Sequence, residues 1–543
     1  MAASYRLIPR AGCHGVWTEC TEWSSSQGNI QIGLLGKKFF LTADADNVRA
    51  ILATQFKDFV TGPNRAGAFG YFVGKSIFTS DGPFWEHSRS LFKPHFATGH
   101  INDLEATERS CLDMFEAISA RKNGQWTHPL DLQALFLRFT LDNGMEFLFG
   151  ANVRSQLAAI PGASTIYQLD EVTRMAADTA GADMGFTEAF HVASLQVTKR
   201  AKLQSLYWLA DSKEGRKAVK YLQKFCEYLV NATLQASEQT SANERTNPPQ
   251  AKKQTLLKAL AKDTHDPIEL RDQVLFMLTA ARDTTAALLS WMFLMLAKHP
   301  PVWEKLRESI IKDFGTEKAP KGVLTFSSLK HCTYLQNVMF ETLRLYPPGP
   351  LNTRMAVRDT TLPVGGGDDG KSPIAVRKGE TVNICVYAMQ RRTDLWGEDA
   401  LEFRPERWEG RKMDWSFLPF SGGPRTCMGQ QYALTEAGYL TVRLLQRFDG
   451  IQAVEGLDVI EQFVTVTLEP TKGVNVRLRE AASSYIASLS FEFVPSSNNF
   501  EQAEAGGSQH STFNIVEVRK KGFTRRHECC GVQLPQGVAI PSG

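Results

Sequence analysis

The stretch Phe420-Ser421-Gly422-Gly423-Pro424-Arg425-Thr426-Cys427-Met428-Gly429 decides the fold of this chain. It places a single cysteine in a loop of small residues, and the apolar run over residues 433–445 predicts a helix directly after the loop. Gly423 and Gly429 permit backbone turns that are closed to other residues, so backbone N–H groups can point at the sulfur. Such hydrogen bonds, together with the positive end of the following helix, favour the thiolate over the thiol. The loop therefore predicts a thiolate that acts as a metal ligand.

The spacing of the loop decides against the simpler interpretation, a buried and inert thiol in a glycine-rich turn. Phe-x-x-Gly-x-Arg-x-Cys-x-Gly resembles the haem-ligand loop of the cytochrome P-450 monooxygenases. The resemblance implies the cytochrome P-450 fold, mostly α with small β sheets, and haem (heme b) held by Cys427, whose thiolate supports O–O cleavage. It also implies that Phe420 shields the sulfur, that Arg425 neutralises a haem carboxylate and that Gly429 leaves room for the flat cofactor.

The composition limits the classes of partner. The chain has 543 residues, 43% of them apolar, so a large core can form. Its 61 basic and 58 acidic residues give a net charge of +3, which argues against a general nucleic-acid surface. Nine scattered cysteines, odd in number and without zinc spacing, indicate a reducing environment. No secretory signal or hydrophobic N-terminal segment is visible.

The resemblance divides the chain into three parts. Residues 33–480 are predicted to form one haem-thiolate monooxygenase domain, which we expect to be monomeric. Residues 1–32 are an atypical segment without the membrane anchor that is usual in such proteins. Residues 481–543 look foreign to the family and are rich in Ser, Asn, Gln and Gly, so they predict a disordered tail. The resemblance also implies the cytosolic face of the endoplasmic reticulum membrane.

The N-terminal part of the domain predicts a strand, a helix and a loop. Residues 38–42 predict the strand, and residues 45–56 predict a helix capped by Asp44. Residues 62–80 are rich in glycine and aromatic residues, which predicts a loop. This loop is either packed on the surface or forms an apolar wall over a substrate pocket.

A helix that begins after Asp81 carries Trp85 and Arg89 four residues apart, and therefore on one face. An indole N–H and a guanidinium side by side can both donate to one carboxylate, although such a pair is more often a stacked surface pair. Beside the cysteine loop, the pair resembles the Trp-x-x-x-Arg that binds a haem propionate in the family. Lys93 and His95 follow and suggest a basic face where an acidic reductase docks.

The middle of the chain predicts helices and one linker. Residues 100–235 predict successive amphipathic helices, including 130–149 and 168–177. Residues 237–254 are polar and contain Pro248-Pro249, so they predict a solvated linker.

One long helix is predicted from Pro267, with Asp266 as its N-cap, to about His299. It has ~32 residues and a length of roughly 48 Å. It is apolar almost all round, which is typical of a membrane span or of a helix crossing a large core. Arg282 and Asp283 at its midpoint favour the core, because a charge in a membrane costs ~2.5–3.5 kcal/mol.

The same helix contains Ala280-Ala281-Arg282-Asp283-Thr284-Thr285. A mid-helix threonine can donate its hydroxyl to the carbonyl four residues earlier, here Ala280, and bend the helix. Taken alone the segment is equally well a polar kink. With the cysteine loop it resembles the oxygen-activation motif of the family, in which Thr284 serves oxygen activation and Asp283 supplies protons. The usual second glycine of the motif is Ala281 here.

Glu341 and Arg344 lie three apart on a helix predicted over residues 334–346, where such a pair is ordinarily solvated. The family has the same Glu-x-x-Arg, buried and locked to an arginine of a later Pro-Glu-Arg segment. Arg407 is the corresponding residue here. The resemblance thus implies a structural clamp of Glu341, Arg344 and Arg407 that takes no part in the chemistry.

Two further features of the sequence need interpretation, a single arginine and a glycine-rich segment. Arg354 lies where the family's chain passes the haem edge, so the resemblance implies that it binds a propionate. Residues 365–372 literally match the phosphate-binding Gly-x-x-x-x-Gly-Lys-Ser pattern, but a phosphate loop needs a helix beginning at its Lys-Ser. Strand-like residues follow here, so the segment predicts a hairpin tip instead.

Residues 51–59, 76–82 and 362–374 resemble the fungal branch of the family that hydroxylates alkanes and fatty acids. The substrate is then a long aliphatic chain, such as a fatty acid, an alkane or a polyketide tail, oxidised at or near its terminus. The residues expected to line its pocket are Phe72, Phe78, Phe276, Thr279, Ala280, Leu351 and Val466.

The resemblance implies that NADPH supplies electrons through a separate NADPH-cytochrome P-450 reductase and that O2 is the oxidant. Four alternatives remain open. The chain is a tailoring hydroxylase of a secondary metabolite, an isomerase or dehydratase without a reductase, a haem-binding sensor without turnover, or a nucleotide-binding protein that uses Lys371.

Overall fold

The computed structural model describes residues 28–34, 37–96, 104–151, 153–160, 185–243, 255–454 and 460–481, with the backbone alone for 32–34, 37–38 and 236–243. The predicted helix over 168–177 lies outside the described residues, as do most of the N-terminal segment and the C-terminal tail from residue 482.

The described chain is mostly helical with small sheets, as predicted. The α-helices are α1 Ala45–Arg49, α2 Pro63–Val73, α3 Gly82–Phe92, α4 Glu105–Ser119, α5 Leu132–Phe149, α6 Ser155–Ala158, α7 Phe186–Lys202, α8 Lys213–Asn243, α9 Leu256–Leu260, α10 Pro267–Lys298, α11 Pro300–Phe314, α12 Phe326–His331, α13 Thr333–Leu345, α14 Val386–Met389, α15 Thr393–Trp396 and α16 Gln430–Arg447.

The strands are β1 Asn29–Leu34, β2 Lys37–Thr42, β3 Phe59–Val60, β4 Lys122–Asn123, β5 Trp126–Thr127, β6 Leu130–Asp131, β7 Leu351–Ala356, β8 Thr360–Gly366, β9 Ser372–Val376, β10 Thr381–Cys385, β11 Phe448–Ala453, β12 Gln462–Val464, β13 Leu468–Pro470 and β14 Asn475–Glu480. One sheet has the order β1-β2-β10-β7-β3, and a second has the order β11-β14-β5-β4 with β6 paired to β14. Two hairpins, β8–β9 and β12–β13, stand apart from them.

The long helix α10 has the predicted beginning and the predicted length. The Asp266 carboxylate accepts a hydrogen bond of 2.9 Å from the backbone N–H of Ile268, and the helix runs for 32 residues. It is buried along most of its length and packs against α5, α8, α13 and α16, which explains why it is apolar on every side. Within the described part of the chain, no helix combines the length and apolar character that crossing a membrane requires.

Two predicted loop segments are helical instead. Residues 62–80 contain α2, which begins at Pro63, a residue favoured at a first helical position, and ends at Gly74 with φ of 55°. The prediction of a loop was wrong because tertiary contacts hold this glycine-rich segment: Arg200 of α7 donates to the carbonyl of Gly67 at 2.9 Å. The predicted linker over 237–254 was also partly wrong, since α8 continues to Asn243.

The segment that matched a phosphate loop is a hairpin, as predicted. Strand β8 pairs antiparallel with β9, and Gly366 lies opposite Ser372. The backbone N–H of Lys371 donates to the Asp369 carboxylate, and a strand follows where a phosphate loop requires a helix. The geometry rejects the nucleotide-binding interpretation of this segment.

Candidate active site

A cavity of about 770 Å³ lies between α10 and the Cys427 loop. The structure brings together in its wall the residues that the sequence assigned to the cofactor, the chemistry and the substrate pocket. They are Phe72, Phe78, Trp85, Arg89, Phe276, Thr279, Ala280, Asp283, Thr284, Leu351, Arg354, Phe420, Arg425, Cys427, Gly429 and Val466. The cavity is therefore where a cofactor and a substrate can meet.

The Cys427 loop holds its sulfur at the N-terminus of α16. The backbone N–H of Cys427 donates to the Phe420 carbonyl at 2.9 Å, which closes the loop. Cys427 is exposed, and it lines the cavity. Burial raises the pKa of the Cys427 thiol overall, and backbone N–H groups of Gly429 and Gln430 and the charge of Arg89 oppose that rise. These donors and the helix N-terminus give a thiolate the environment of a metal ligand.

Gly423 and Gly429 of the loop differ in why a glycine is needed. Gly423 has φ of 66°, and a Cβ there would lie 1.9 Å from the carbonyl oxygen of Leu52, so no other residue fits. Gly429 has φ of −83°, which any residue adopts, so the expectation of a special backbone turn at Gly429 was wrong. A Cβ at Gly429 would instead stand 3.9 Å from the Cys427 sulfur. The absence of a side chain there keeps the space beside the sulfur open.

Helix α10 presents Asp283 and Thr284 to the cavity. The Thr284 hydroxyl donates to the Ala280 carbonyl at 2.7 Å, the contact that the sequence predicted. The Asp283 carboxylate is buried and accepts from Arg282 Nη1 at 2.7 Å. Burial raises the pKa of Asp283, and Arg282 opposes that rise. Both side chains therefore line the same cavity.

Four charged side chains, Arg65, Arg354, Arg425 and Asp81, form a group that we call the arginine cluster. Arg425 donates to the Asp81 carboxylate at 2.7 Å, and the Asn352 side-chain oxygen accepts from Arg65 at 2.7 Å and from Arg354 at 2.6 Å. Burial and the charge of Arg425 together lower the pKa of Arg354 to about 10. Burial and the charges of Arg354 and Arg425 likewise lower the pKa of Arg65.

The arginine cluster fits an anionic cofactor. Three guanidinium groups and one carboxylate leave two positive charges uncompensated within the cluster. A buried charge without a partner is costly, so the site favours a ligand that brings negative charge. Haem carries two propionates, and its iron accepts a thiolate. The arginine cluster fits the propionates and the Cys427 loop fits the iron, and both line the same cavity.

Trp85 and Arg89 complete this side of the cavity. The Arg425 guanidinium lies 4.4 Å from the centre of the Trp85 ring, and Arg89 donates to the Thr426 carbonyl at 3.2 Å. Helix α3 is thereby tied to the Cys427 loop. Both side chains line the cavity, where they can meet a carboxylate.

The clamp (Glu341, Arg344 and Arg407) is buried outside the cavity. Glu341 accepts from Arg344 at 2.8 and 2.9 Å and from Arg407 at 3.3 Å. The Trp408 indole N–H and the Arg404 backbone N–H also donate to Glu341 at 3.0 Å. The three charges are therefore bonded to one another, in contrast to the arginine cluster.

Gln390 connects the clamp to the loop that carries Cys427. Its amide donates to the carbonyls of Leu343 and Arg344, and its side-chain oxygen accepts from the backbone N–H of Leu418 at 2.8 Å. Its buried position explains why a glutamine fits there.

Sequence reasoning missed Arg65 and the charge of Asp81. Arg65 lies in the segment that was interpreted as an apolar loop, and Asp81 was treated as a helix start alone. Asp81 accepts from Thr61 and Gly62 backbone N–H groups at 3.0 Å, which holds its pKa below the usual range although burial raises it. A lone arginine among aromatic residues was the one signal that the sequence offered.

The comparisons with known proteins agree with this geometry. The sequence model described as Cytochrome P450 matches residues 16–475. Cytochrome P450 monooxygenase g430 of a Fusarium species is 41% identical over 446 residues, which are 82% of this chain and 76% of that protein. Cytochrome P450 52A5 of Candida maltosa is 42% identical over 446 residues, 81% of each chain. Cytochrome P450 monooxygenase alt2 of Alternaria solani is 40% identical over 439 residues, 79% of this chain and 78% of that protein.

Proposed function

The chain belongs to the cytochrome P450 family and is a monooxygenase of that family, and from this premise we propose that it hydroxylates a long aliphatic chain at or near its end. The observation that carries the proposal is the apolar wall of the cavity, which leads along α10 to Thr284 and the Cys427 loop. A flexible alkyl chain binds such a wall by burial of its methylene groups, each worth about 0.8 kcal/mol.

Family membership implies a haem-thiolate cofactor. In our proposal Cys427 holds the iron, Arg354 and Arg425 bind the propionates with Trp85 and Arg89, and Phe420 screens the sulfur. When bound, haem supplies the activation of O2, with one oxygen atom inserted into a C–H bond and the other released as water. A reductase of the kind that the family generally uses delivers the electrons of NADPH.

The side chains of α10 have the properties that proton delivery to the cavity requires. Burial raises the pKa of the Asp283 carboxyl, and Arg282 fixes its orientation. The Thr284 hydroxyl donates to the Ala280 carbonyl and lines the cavity, so its oxygen can accept a hydrogen bond from a group there. A proton passes from the Asp283 carboxyl to the cavity along this pair.

Three aromatic residues, which we call the aromatic wall, shape the substrate space. The Phe78 ring stacks on the Phe276 ring at 5.1 Å and meets the Phe69 ring edge-on at 5.0 Å. Leu351 of β7 and Val466 of the β12–β13 turn add apolar surface. This wall offers area to a chain of methylene groups, but few polar groups that would select a compact polar substrate.

The test is turnover by the purified holoenzyme with NADPH and a cytochrome P450 reductase. Saturated fatty acids, linear alkanes and compact polycyclic compounds are supplied in parallel, and the products are identified by mass spectrometry. We expect hydroxylation at or near the end of the linear chains, with NADPH consumed in step with product. Turnover of the polycyclic compounds alone would contradict the aliphatic assignment. Product formed without NADPH would favour an isomerase.

A further inference from the structure

The part of the cavity wall formed by α2, α7 and Gln204 carries polar side chains among apolar ones. Asn64 of α2, Lys202 at the last position of α7 and Gln204 just after it all line the cavity. We call these three residues the polar end. They lie on elements that pack against each other, whereas the Cys427 loop leads into α16.

The polar end is held together by its own hydrogen bonds. The Asn64 amide donates to the Gln204 side-chain oxygen at 3.0 Å, and the Gln204 amide donates to the Ala201 carbonyl at 3.1 Å. Each amide nitrogen carries two hydrogens, and these contacts use one of each. Donors on both amides therefore remain for a ligand in the cavity.

The backbone of Gln204 is strained. Its φ is 50°, in the left-handed region that favours glycine. A residue other than glycine in this region stores backbone strain, and such strain is concentrated at functional sites. Here the side chain links α2 to the end of α7 at the rim of the cavity.

The aromatic wall separates the polar end from the chemistry. Phe69 belongs to the same helix as Asn64, and its contacts lead through Phe78 to Phe276 of α10. From Phe276 to Thr284 the helix advances by eight residues, or about 12 Å. Aromatic rings thus lie between the polar end and Thr284, and the Arg65 guanidinium lies 4.7 Å from the centre of the Phe78 ring.

We propose that Asn64, Lys202 and Gln204 bind the carboxylate of a fatty acid whose far end reaches Thr284 and Cys427. The inference rests on the proposed function and selects the fatty acid among the aliphatic substrates. An ammonium group with amide N–H donors forms the charge-assisted hydrogen bonds that a carboxylate prefers. An alkane has no polar group that could bind the polar end. Hydroxylation near the chain terminus follows, because the carboxylate fixes which end is distant.

Arg65 is the other cation on this side of the cavity, and its contacts direct it elsewhere. Its guanidinium donates to Asn352 at 2.7 Å and to the Thr353 carbonyl at 3.3 Å, within the arginine cluster. A substrate carboxylate bound there would compete with the propionates that the cluster fits.

The test measures equilibrium affinity of the holoenzyme for hexadecanoate, its methyl ester and hexadecane, by calorimetric titration. In Lys202→Met, which keeps the alkyl stem, we expect about tenfold weaker binding of the acid and unchanged binding of the ester. Gln204→Gly relieves the left-handed backbone and should weaken acid binding while unfolding no more easily. Lys199→Met removes a lysine of the same helix turn outside the cavity and is the matched control.

Equal loss of affinity for acid and ester in Lys202→Met would overturn the proposal, and so would unchanged affinity for both. Loss of acid binding in Arg65→Met alone would place the carboxylate in the arginine cluster and overturn it too. Failure of the proposed function looks different, because then wild-type enzyme hydroxylates none of the three linear compounds. The expected pattern is acid-selective loss in both polar-end variants, together with wild-type binding in Lys199→Met.

Discussion

The clamp and the arginine cluster both bury arginines, but only the charges of the clamp are compensated, by Glu341 and by the neighbouring Asp399. Glu341 of the clamp accepts from both of its arginines, and Asp399 accepts from Arg407 at 2.7 Å. The arginine cluster sets three guanidinium groups against Asp81. Internally paired charges serve the fold, because removing one member leaves the others buried alone. Charges left uncompensated at a cavity serve a ligand that brings the missing anion.

The largest effect is expected from Glu341→Ala, which would leave Arg344 and Arg407 buried without their carboxylate. Breaking a buried pair in this way costs about 3–5 kcal/mol. We expect a strong fall in the free energy of unfolding, measured by chemical denaturation, and loss of haem incorporation, measured as the haem-to-protein ratio. Glu398→Ala removes an exposed carboxylate of the same region as a control. Normal stability and haem content in Glu341→Ala would show that the clamp is dispensable.

Glu436 of α16 shows how a buried carboxyl behaves when its hydrogen-bond donor is a neutral amide. It accepts from Asn143 at 2.9 Å, and burial raises the pKa of Glu436 to about 8. Between roughly pH 5 and 8 the folded protein holds a proton that the unfolded chain has released, so stability falls as pH rises through this window. The change approaches about 1.4 kcal/mol per pH unit.

Glu436→Gln tests this titration, because an amide does not ionise. We expect the difference in unfolding free energy between variant and wild type to grow from pH 5 to pH 8 in favour of the variant. Denaturant unfolding at several pH values measures it. A difference that is constant with pH would mean that Glu436 does not titrate in this window.

Arg354→Met should separate the arginine cluster from the clamp. Removing one uncompensated guanidinium relieves repulsion from Arg425, so the unfolding free energy of the haem-free protein should not fall. Haem retention should weaken about tenfold, as loss of one charge-assisted contact of ~1.4 kcal/mol implies. Haem transfer to an acceptor protein measures retention. If the haem-free variant lost as much stability as Arg344→Met, the distinction between the two groups would be wrong.

The smallest change in stability is expected from the ion pair of Lys305 and Glu406, whose charged atoms lie 2.6 Å apart. Glu406 precedes Arg407 of the clamp in sequence, but the pair is exposed to solvent. Exposed pairs contribute about 0.2–1 kcal/mol, and salt screens them. Lys305→Met should therefore shift the thermal midpoint only slightly, and less at high salt. A loss comparable with that of Glu341→Ala would show that the clamp extends to the surface.

The features that could be predicted from the sequence are those fixed by neighbours in the chain. The N-cap at Asp266, the hydroxyl of Thr284 on Ala280 and the hairpin at 365–372 each depend on residues within one turn or one loop. The Cys427 loop is contiguous, so its spacing can be read directly.

The features that were missed depend on distant partners. Arg65 meets Asn352 across 287 positions, and Arg425 meets Asp81 across 344. The residues next to each arginine in the sequence do not identify its distant partner. Helix α2 was missed for the same reason, since its glycines and aromatic residues are ordered by contacts with α7 rather than by their own periodicity.

The account depends most on Cys427 as the thiolate that holds haem. The direct measurement is the carbon-monoxide difference spectrum of the reduced protein, for the wild type and for Cys427→Ser, with Cys226→Ala as a control for a buried cysteine outside the cavity. We predict the red-shifted Soret band of thiolate-ligated haem in the wild type and in the control, and its loss in Cys427→Ser. The same band in Cys427→Ser, or none in the wild type, would contradict the account.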